Sequence, residues 1–223
     1  MNIPLSPRLR ACCNFIAPGD RVADVGTDHG YLGIWLLTQG IASSVIASDI
    51  GEGPLSAARA NAQRFGCQDR MTFCLSDGVQ DIPRNFDALV IAGMGAQTMV
   101  HILSAAPWLQ GRRLVLQPQN KPHLLRAWLT ENGWHIRAES LVRDGRFLYA
   151  VMEAVYEPSP VLTPGQCWLS PALLACGHEE LPEYINRTLA VLRKNVLGDP
   201  SLHPALTELE NTLSKEAQYG NCQ

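Results

Sequence analysis

The segment DVGTDHGYLG, residues 24–33, follows a short apolar run and carries glycines spaced as in a nucleotide-binding turn. In a dinucleotide-binding turn the pattern is G-x-G-x-x-G, and the second glycine lets the backbone approach a pyrophosphate closely. Here that position is Asp28, and His29 follows it. A fixed carboxylate would repel a pyrophosphate in a partly dry site. The turn therefore favours a ligand that carries positive charge.

Two further aspartates end predicted strands, and a third lies inside a predicted strand. Asp49 ends the second strand, 23 residues after Gly26, close to the spacing of the acid that binds ribose hydroxyls. Asp77 ends the third strand before Gly78, where it can accept a hydrogen bond from an adenine amino group. Asp24, inside the first strand, can hold the loop backbone or reach an ammonium group. A single aspartate at a strand end is commonly a turn former, but the set predicts S-adenosylmethionine, which has a sulfonium, an ammonium and one carboxylate.

The fourth predicted strand ends in AGMG, residues 92–95, on the side where a methyl group would be transferred. The polar-Pro-Pro-aromatic motif of many amino-group methyltransferases is not there. Gly93 and Gly95 on either side of Met94 predict a low, apolar floor against which a flat base can lie. A flexible strand-to-helix turn is the alternative interpretation.

These motifs need a scaffold, and apolar β-rich runs alternate with helical patterns along the chain. The predicted helices are 5–16, 31–40, 54–66, 96–109 and 122–133, and the predicted strands are 21–26, 44–50, 71–78, 86–95, 112–119 and two within 134–157. Such alternation predicts an α/β fold with a mostly parallel, Rossmann-like sheet covered by helices on both faces. The last two strands flank RDGR, a hairpin signal, and an antiparallel pair at this place is typical of class I methyltransferases.

The predicted domain comprises residues 1–157, followed by a proline-rich linker at 158–177 and a helical hairpin at 178–223. Two near-heptad apolar stripes define the hairpin. They consist of Leu181, Ile185, Leu189, Leu192 and Val196, and of Leu202, Leu206, Leu209 and Leu213. A coiled-coil-like appendage is the preferred prediction, and simple packing on the main domain is the alternative.

The net charge of −3 gives no overall basic footprint for nucleic-acid binding. Residues 1–160 balance 14 Lys/Arg against 14 Asp/Glu, so any phosphate-binding surface must be a local patch. The candidate pairs are Arg8 with Arg10, Arg112 with Arg113, Lys121 with Arg126, and Arg143 with Arg146. The seven cysteines form no C-x-x-C pair, which predicts reduced thiols and no metal. The chain has no signal-peptide or transmembrane pattern, so we expect a cytoplasmic protein that does not bind membranes.

Taken together, the motifs resemble a known family over residues 5–157. They are VADVGTDHGYL, ASDIGEGPLSAARAN, SDGV, DALVIAGMGA, LVLQPQ, LRAWLTENGWHI and DGRFLYAV. In order and spacing they are similar to the bacterial tRNA (adenine-N1)-methyltransferases that act on position 22, the TrmK family. DHGYL and IAGMG are the specific segments, and the linker with its two-helix tail is similar in plan to the family's coiled-coil appendage.

The resemblance implies S-adenosylmethionine as cofactor and tRNA as partner. The cofactor-binding residues, from the turn and from the resemblance, are Asp24, Gly26, Thr27, Asp28, Gly30, Asp49, Asp77, Gly78, Gly93 and Met94. Asp28 is the leading catalytic candidate and His29 the alternative, although a histidine that braces the loop is the commoner role. For the substrate side we select Tyr31, Gly95, Gln117, Arg8 and Arg10. The oligomeric state is open, with a monomer favoured.

Three positions depart from the family pattern. Ser-Asp-His-Ala-Tyr has become the segment 27–31, Thr-Asp-His-Gly-Tyr, which leaves the charged pair intact. The acid after the second strand is Asp49 where the family more often has glutamate. QPQN replaces a Gln-Pro-Asn pattern, so that either Gln119 or Asn120 takes the role of that asparagine.

In the predicted reaction, adenine N1 attacks the S-methyl carbon and needs no base, because its lone pair is free at neutral pH. The base must be unstacked and turned into the pocket, and alignment can supply much of the rate. Asp28 is expected to stabilise the positive charge that develops on the ring, or to orient the base through N6. The alternatives are methylation of another RNA, a protein or a metabolite, and a non-catalytic protein that binds S-adenosylmethionine or RNA.

Overall fold

The computed structural model describes residues 3–220, with side chains through residue 214, so the ends of the predicted domain and hairpin, 1–2 and 221–223, lie outside it. Seven strands and nine α-helices are present in this part of the chain. The strands are β1 Arg21–Val25, β2 Ser44–Asp49, β3 Met71–Leu75, β4 Ala88–Met94, β5 Arg113–Pro118, β6 Trp134–Asp144 and β7 Phe147–Tyr156. The helices are α1 Pro7–Cys13, α2 Tyr31–Thr38, α3 Glu52–Arg64, α4 Ala96–Ser104, α5 Pro122–Glu131, α6 Pro164–Trp168, α7 Pro171–Leu174, α8 Leu181–Gly198 and α9 His203–Gly220.

One sheet contains all seven strands in the order β3-β2-β1-β4-β5-β7-β6. The first five strands are parallel, and β7 is antiparallel to both β5 and β6. The order reverses between β1 and β4, and this switch point is where open α/β sheets bind ligands. The α/β fold class and the closing hairpin are therefore confirmed.

The central strands form because they are continuous apolar runs that both helical layers can cover. Val22, Ala23 and Val25 of β1 are buried, as are the first four residues of β4. The hairpin between β6 and β7 turns at Gly145, which has a positive φ of 59°, and pairs Asp144 with Phe147. These strands place the motifs at the carboxyl ends of β1, β2, β3 and β4.

Two helices show how local sequence sets their ends. The Ser6 hydroxyl caps α1 by accepting a hydrogen bond from the Leu9 N–H, and Pro7 occupies the first helical position, as predicted. The helix after β4 is shorter than the predicted 96–109. It ends at Ser104, and a 3-10 turn begins at Pro107, because proline lacks the N–H that a continuing helix needs.

The C-terminal helices are present and pack on the main domain as well as on each other. Arg193 of α8 pairs with Glu210 of α9 at 2.7 Å. The apolar stripes bury Leu192 and Leu209 in the cluster that also contains Leu129 of α5. Both arrangements considered for the stripes therefore occur together.

The segment between β7 and α8 is not a bare connection. It contains α6 and α7, and it buries Trp168, Leu169 and Leu173 in the same cluster as the sheet. The division into 1–157, 158–177 and 178–223 stays a prediction.

Two observations concern classes of site. No helix in residues 3–220 is long and apolar enough to cross a bilayer. Among the described side chains, no three His, Cys, Asp or Glu residues are grouped so that they could hold a metal ion.

Candidate cofactor and substrate site

The loop after β1 is held in a backbone conformation that few residues adopt. Gly26 and Gly30 have φ of 75° and 74°, and Asp28 between them has φ of 52°. Aspartate tolerates this left-handed region better than most side chains. The N–H groups of Gly26 and Thr27 both donate to the Ser48 carbonyl at 2.9 Å. The loop is thereby fixed against the end of β2.

Asp24 is buried at the base of this loop. Its carboxylate accepts a hydrogen bond from the Thr27 hydroxyl at 2.7 Å and so contacts the loop through a side chain. Burial raises the pKa of Asp24 to about 6; the Thr27 hydrogen bond opposes the rise and the nearby Asp49 carboxylate adds to it. A cationic ligand would favour the ionised form of this carboxylate.

Asp49 joins the ends of the neighbouring loops. One of its carboxylate oxygens accepts from the Gly51 N–H at 3.0 Å, and the other accepts from the Asp28 N–H at 3.3 Å. The Asp49 carbonyl also accepts from the Ser76 N–H at 3.0 Å. The carboxyl ends of β1, β2 and β3 are thus linked through one residue.

The Asp28 side chain faces outward from the loop. Its side chain is 72% exposed, and the carboxylate lies 3.6 Å from the imidazole of His29. The His29 ring is 5.7 Å from the ring of Tyr31. The backbone carbonyl of His29 accepts a hydrogen bond from the side-chain amide of Asn61 at 2.9 Å. The loop therefore presents a carboxylate, an imidazole and a phenol to an incoming molecule, while Asn61 braces it.

The AGMG segment closes the opposite side of the loop. Gly93 has φ of 81°, and the pairing of β4 with β5 shifts register between Ala92 and Met94. A Cβ at Gly26 would overlap the terminal methyl of Met94. The loop after β1 and the end of β4 are therefore in direct contact, and the absence of a side chain at Gly26 permits it.

Gln117 and Arg8 contact the AGMG segment at Gly93. Gln117 is fully buried, and its side-chain oxygen accepts from the Gly93 N–H at 3.2 Å and from the Arg8 guanidinium at 3.3 Å. The guanidinium fills the space that a Cβ at Gly93 would need and lies 3.6 Å from Asp144. Arg8 and Gln117, two of the five residues selected for the substrate side, therefore lie at the end of β4.

The structure distinguishes the two candidates in QPQN. The Gln119 N–H donates to the Met94 carbonyl at 2.8 Å, a backbone contact that any residue except proline can make. The Asn120 side chain lies against the AGMG segment, since a Cβ at Gly95 would be 3.4 Å from its amide oxygen.

Some selected residues lie at the margin or elsewhere. Asp77 is exposed two residues after the end of β3, which stops at Leu75 and not at the predicted residue 78. At Gly78, which follows, a Cβ would lie 3.0 Å from Ile102. Arg10 does not join the group: its guanidinium lies over the ring of Trp35, in a different cavity.

Two residues that complete the site were not selected from the sequence. Asn61 lies on α3 and Asp144 at the end of β6, far along the chain from the loop and from Arg8. Asn61 ends the motif ASDIGEGPLSAARAN and Asp144 begins DGRFLYAV, but neither motif assigns these residues a role. Their contacts depend on helix packing and on the position of the hairpin, which spacing does not encode.

A seven-stranded sheet with an antiparallel β7, and an acidic, glycine-bearing loop at its switch point, define the methyltransferase class of nucleotide-binding α/β proteins. In agreement, the family described as "Methyltransferase domain" matches residues 5–152.

Individual relatives narrow the class. The tRNA (adenine(22)-N(1))-methyltransferase of Bacillus subtilis is 32% identical over 155 residues, 68% of this chain and 65% of that protein. A Mycoplasma pneumoniae protein, provisionally assigned as a tRNA methyltransferase, is 34% identical over 172 residues, 74% of this chain and 79% of its own. The match thus spans just under two thirds of the Bacillus subtilis protein.

A solved structure extends the likeness to the tail. Streptococcus pneumoniae Sp1610, for which a tRNA (m1A22) methyltransferase activity has been proposed, superposes with a TM-score of 0.84 at 26% identity. The match covers 94% of this chain and 99% of that one, and Sp1610 has also been solved with S-adenosyl-L-methionine. The chain belongs to the methyltransferase-domain family and, within it, to the group that includes these tRNA methyltransferases. The resemblance read from the motifs is confirmed.

Proposed function

We propose that this protein transfers a methyl group from S-adenosylmethionine to N1 of adenine 22 in tRNA. The observation that carries the proposal is the Asp28 carboxylate, which is exposed on a hydrogen-bonded loop beside the contact between Gly26 and Met94. The similarity to the Bacillus subtilis enzyme over 155 residues supports the choice of substrate.

The residues present fit the cofactor. Asp24 and Asp49 place two carboxylates at the switch point, where they suit an ammonium group and ribose hydroxyls respectively. Gly26 has no side chain to block a ligand that lies along the loop. Gly30, which immediately precedes α2, packs against Ala58 of α3. Asp77 and Gly78 complete the adenine side. We assign cofactor binding to these residues together with Thr27, Gly93 and Met94.

When bound, S-adenosylmethionine supplies an electrophilic methyl group. Asp28 then acts on the substrate side: its carboxylate stabilises the positive charge that develops on the adenine ring or accepts a hydrogen bond from N6. The backbone of Asp28 is held by the hydrogen bond that its N–H donates to the Asp49 carboxylate. His29 beside it contributes to the orientation of that carboxylate.

Arg8 and Gln117 hold the floor on which the base lies. Gln117 fixes the Gly93 N–H, and through it the backbone that carries Met94. Met94 and Gly95 then offer an apolar surface, with the Asn120 amide beside it. Alignment of the base on this surface is worth a large share of the rate, because an oriented pair of reactants avoids most of the entropic cost.

The test uses the full chain, methyl-labelled S-adenosylmethionine and an unmodified tRNA that carries A22. We expect label in N1-methyladenosine at position 22, mapped by nuclease digestion and mass spectrometry, and none in the same tRNA with A22 replaced by guanosine. Cofactor binding measured by calorimetry without label in any A22 tRNA would contradict the proposal. Label in another RNA, a protein or a metabolite would then identify the acceptor instead.

A further inference from the structure

A second group of polar and aromatic side chains lies outside the site described above. It lines a cavity of about 430 Å³ formed by α1, α2 and the end of α3. The polar and aromatic side chains of its lining are Arg10, Trp35, Thr38, Gln39, Arg64 and Phe65. We refer to this as the Arg10–Arg64 cavity.

Both arginines of the cavity lie over aromatic rings. The Cζ atom of Arg10 is 5.3 Å from the centroid of Trp35, and that of Arg64 is 5.6 Å from the centroid of Phe65. Such stacking uses the face of the guanidinium and leaves its in-plane N–H groups free. These N–H groups match the oxygens of a phosphate.

Within the part of the chain that the structure describes, the positive charge of the cavity is uncompensated. Among those side chains, neither Arg10 nor Arg64 has a carboxylate oxygen within 4.0 Å. The described lining contains no acidic residue either. By contrast Arg8, on the same helix as Arg10, lies close to Asp144. A cavity with two such guanidiniums attracts anions, although the protein as a whole carries a net charge of −3.

The cavity is adjacent to the loop that carries Asp28. Tyr31 begins α2 beside His29, and Trp35 lies one turn further along the same face, about 6 Å away along the helix axis. On α1, Arg8 reaches the end of β4 while Arg10 reaches Trp35. The loop and the cavity are therefore connected through α1 and α2, and Trp35 in the lining of the cavity is one helical turn from Tyr31.

We propose that the Arg10–Arg64 cavity binds a backbone phosphate of the RNA strand whose adenine enters the site at Asp28. This rests on the proposed function, because it takes RNA as the substrate. The two guanidiniums contact the phosphate oxygens, and the exposed Gln39 amide at the end of α2 lies beside them. The cavity positions the strand and takes no part in methyl transfer.

The test is the double substitution Arg10→Gln and Arg64→Gln in the full chain. Binding of an unmodified tRNA is measured between about 50 and about 200 mM salt, where each phosphate contact contributes about 0.7–0.9 to the slope of log K against log salt. We expect the slope to fall by about 0.7–0.9, the contribution of one phosphate, and the affinity to fall about tenfold. The KM for tRNA should rise by a similar factor, with kcat and S-adenosylmethionine affinity unchanged.

Arg84→Gln is the matched control, because Arg84 is also an exposed arginine over an aromatic ring, 4.6 Å from the centroid of Trp108, but lies on the loop before β4. It should leave the slope unchanged. The double substitution Arg10→Lys and Arg64→Lys retains charge and should restore most of the slope. A double glutamine variant with the wild-type slope would overturn the proposal.

Three further outcomes identify the source of the phosphate and distinguish the cavity proposal from the methylation proposal. Binding of inorganic phosphate or adenosine monophosphate is followed by the change in tryptophan fluorescence that is lost in Trp35→Phe. If either anion saturates the cavity at micromolar concentration and the tRNA slope is unaffected by the double glutamine substitution, the cavity serves a small anion and the RNA assignment is wrong. If the variant lowers the slope but the wild-type protein labels no tRNA, the cavity stands and the methylation proposal fails. If the wild-type protein labels A22 and the substitution leaves the slope unchanged, the methylation proposal stands and the cavity proposal fails.

Discussion

The terminal methyl of Met94 occupies the space in which a Cβ at Gly26 would lie. Two segments that are 68 residues apart in the sequence therefore touch at the switch point, where the strand order reverses between β1 and β4. The contact depends on a residue without a side chain at 26 and on a positive φ of 75° there. It joins the loop to which we assign cofactor binding to the segment that we propose as the floor of the substrate site.

Gly26→Ala should weaken cofactor binding and lower the melting temperature. The substitution imposes left-handed strain of about 1–2 kcal/mol and in addition displaces Met94. Gly40→Ala is the matched control, because Gly40 has φ of 70° but nothing within 4 Å of the position that a Cβ would take. It should show the strain alone, as measured by calorimetry and thermal unfolding. Adding Met94→Ala to Gly26→Ala should recover part of the loss, and no recovery would show that the contact is not the cause.

Asp28→Asn should reduce turnover far more than cofactor affinity. Asparagine tolerates the φ of 52° at this position, so the loop is retained while the charge is removed. Loss of one electrostatic contact to a developing charge costs about 100-fold in kcat. Single-turnover methylation and calorimetry separate the two effects. Equal losses in both would make Asp28 only a binding residue, and His29→Ala, which keeps the carboxylate, should cost less than about tenfold.

Asp24 should make the protein without cofactor less stable as the pH rises. Its pKa is raised to about 6 from 3.8, so the folded state holds this proton more tightly than the unfolded state does. Unfolding free energy therefore falls as the pH rises from about 4 to about 6, by up to about 3 kcal/mol, and this contribution is then constant. Asp24→Asn should abolish that fall and be more stable near pH 7 in urea titrations.

The same substitution should weaken cofactor binding, because the ligand loses a carboxylate. In the wild-type protein, affinity should decrease as the pH falls below about 6, since the carboxylate must then lose a proton on binding. Asp24→Asn should remove this pH dependence. A wild-type affinity that is constant from about pH 5 to about pH 8 would show that Asp24 is not a ligand.

Arg126 and Glu139 form a buried ion pair that links α5 to β6, and Arg126 also contacts α6. Nη2 of Arg126 lies 2.8 Å from Glu139, and Nη1 donates to the carbonyls of Cys167 and Trp168 at 3.1 and 3.0 Å. Burial works to lower the pKa of Arg126, but the Glu139 carboxylate outweighs it and holds that pKa above its usual range. The guanidinium therefore stays charged.

Arg126→Met should destabilise the protein by about 3–5 kcal/mol, because it leaves the Glu139 carboxylate buried without its partner. Arg126→Met with Glu139→Leu should recover much of this loss, since no charge then remains buried. Urea unfolding measures both. Arg137→Met is the control: its pair with Glu157 is exposed and is worth less than about 1 kcal/mol. A double variant as unstable as the single one would place the loss in the carbonyl contacts instead.

Much of the fold follows from local sequence. The Ser6-Pro7 start of α1, the apolar runs of the parallel strands and the turn at Gly145 are each set by residues close together in the chain. The predicted end of α4 was wrong, because apolar periodicity continues past Ser104 while the backbone cannot continue through Pro107.

The acids at the ends of β1, β2 and β3 and the glycines of the loop were identifiable from the sequence, because strand ends in a parallel sheet converge on one edge. The tertiary structure alone decided which side chains meet there. It tied Arg8 to Gln117 across 109 positions and directed Arg10 to Trp35. It also left Asp28 exposed and buried Asp24. Such outcomes depend on how the helices pack and on the hydration free energy that each carboxylate loses when it is buried. Neither is a property of neighbouring residues.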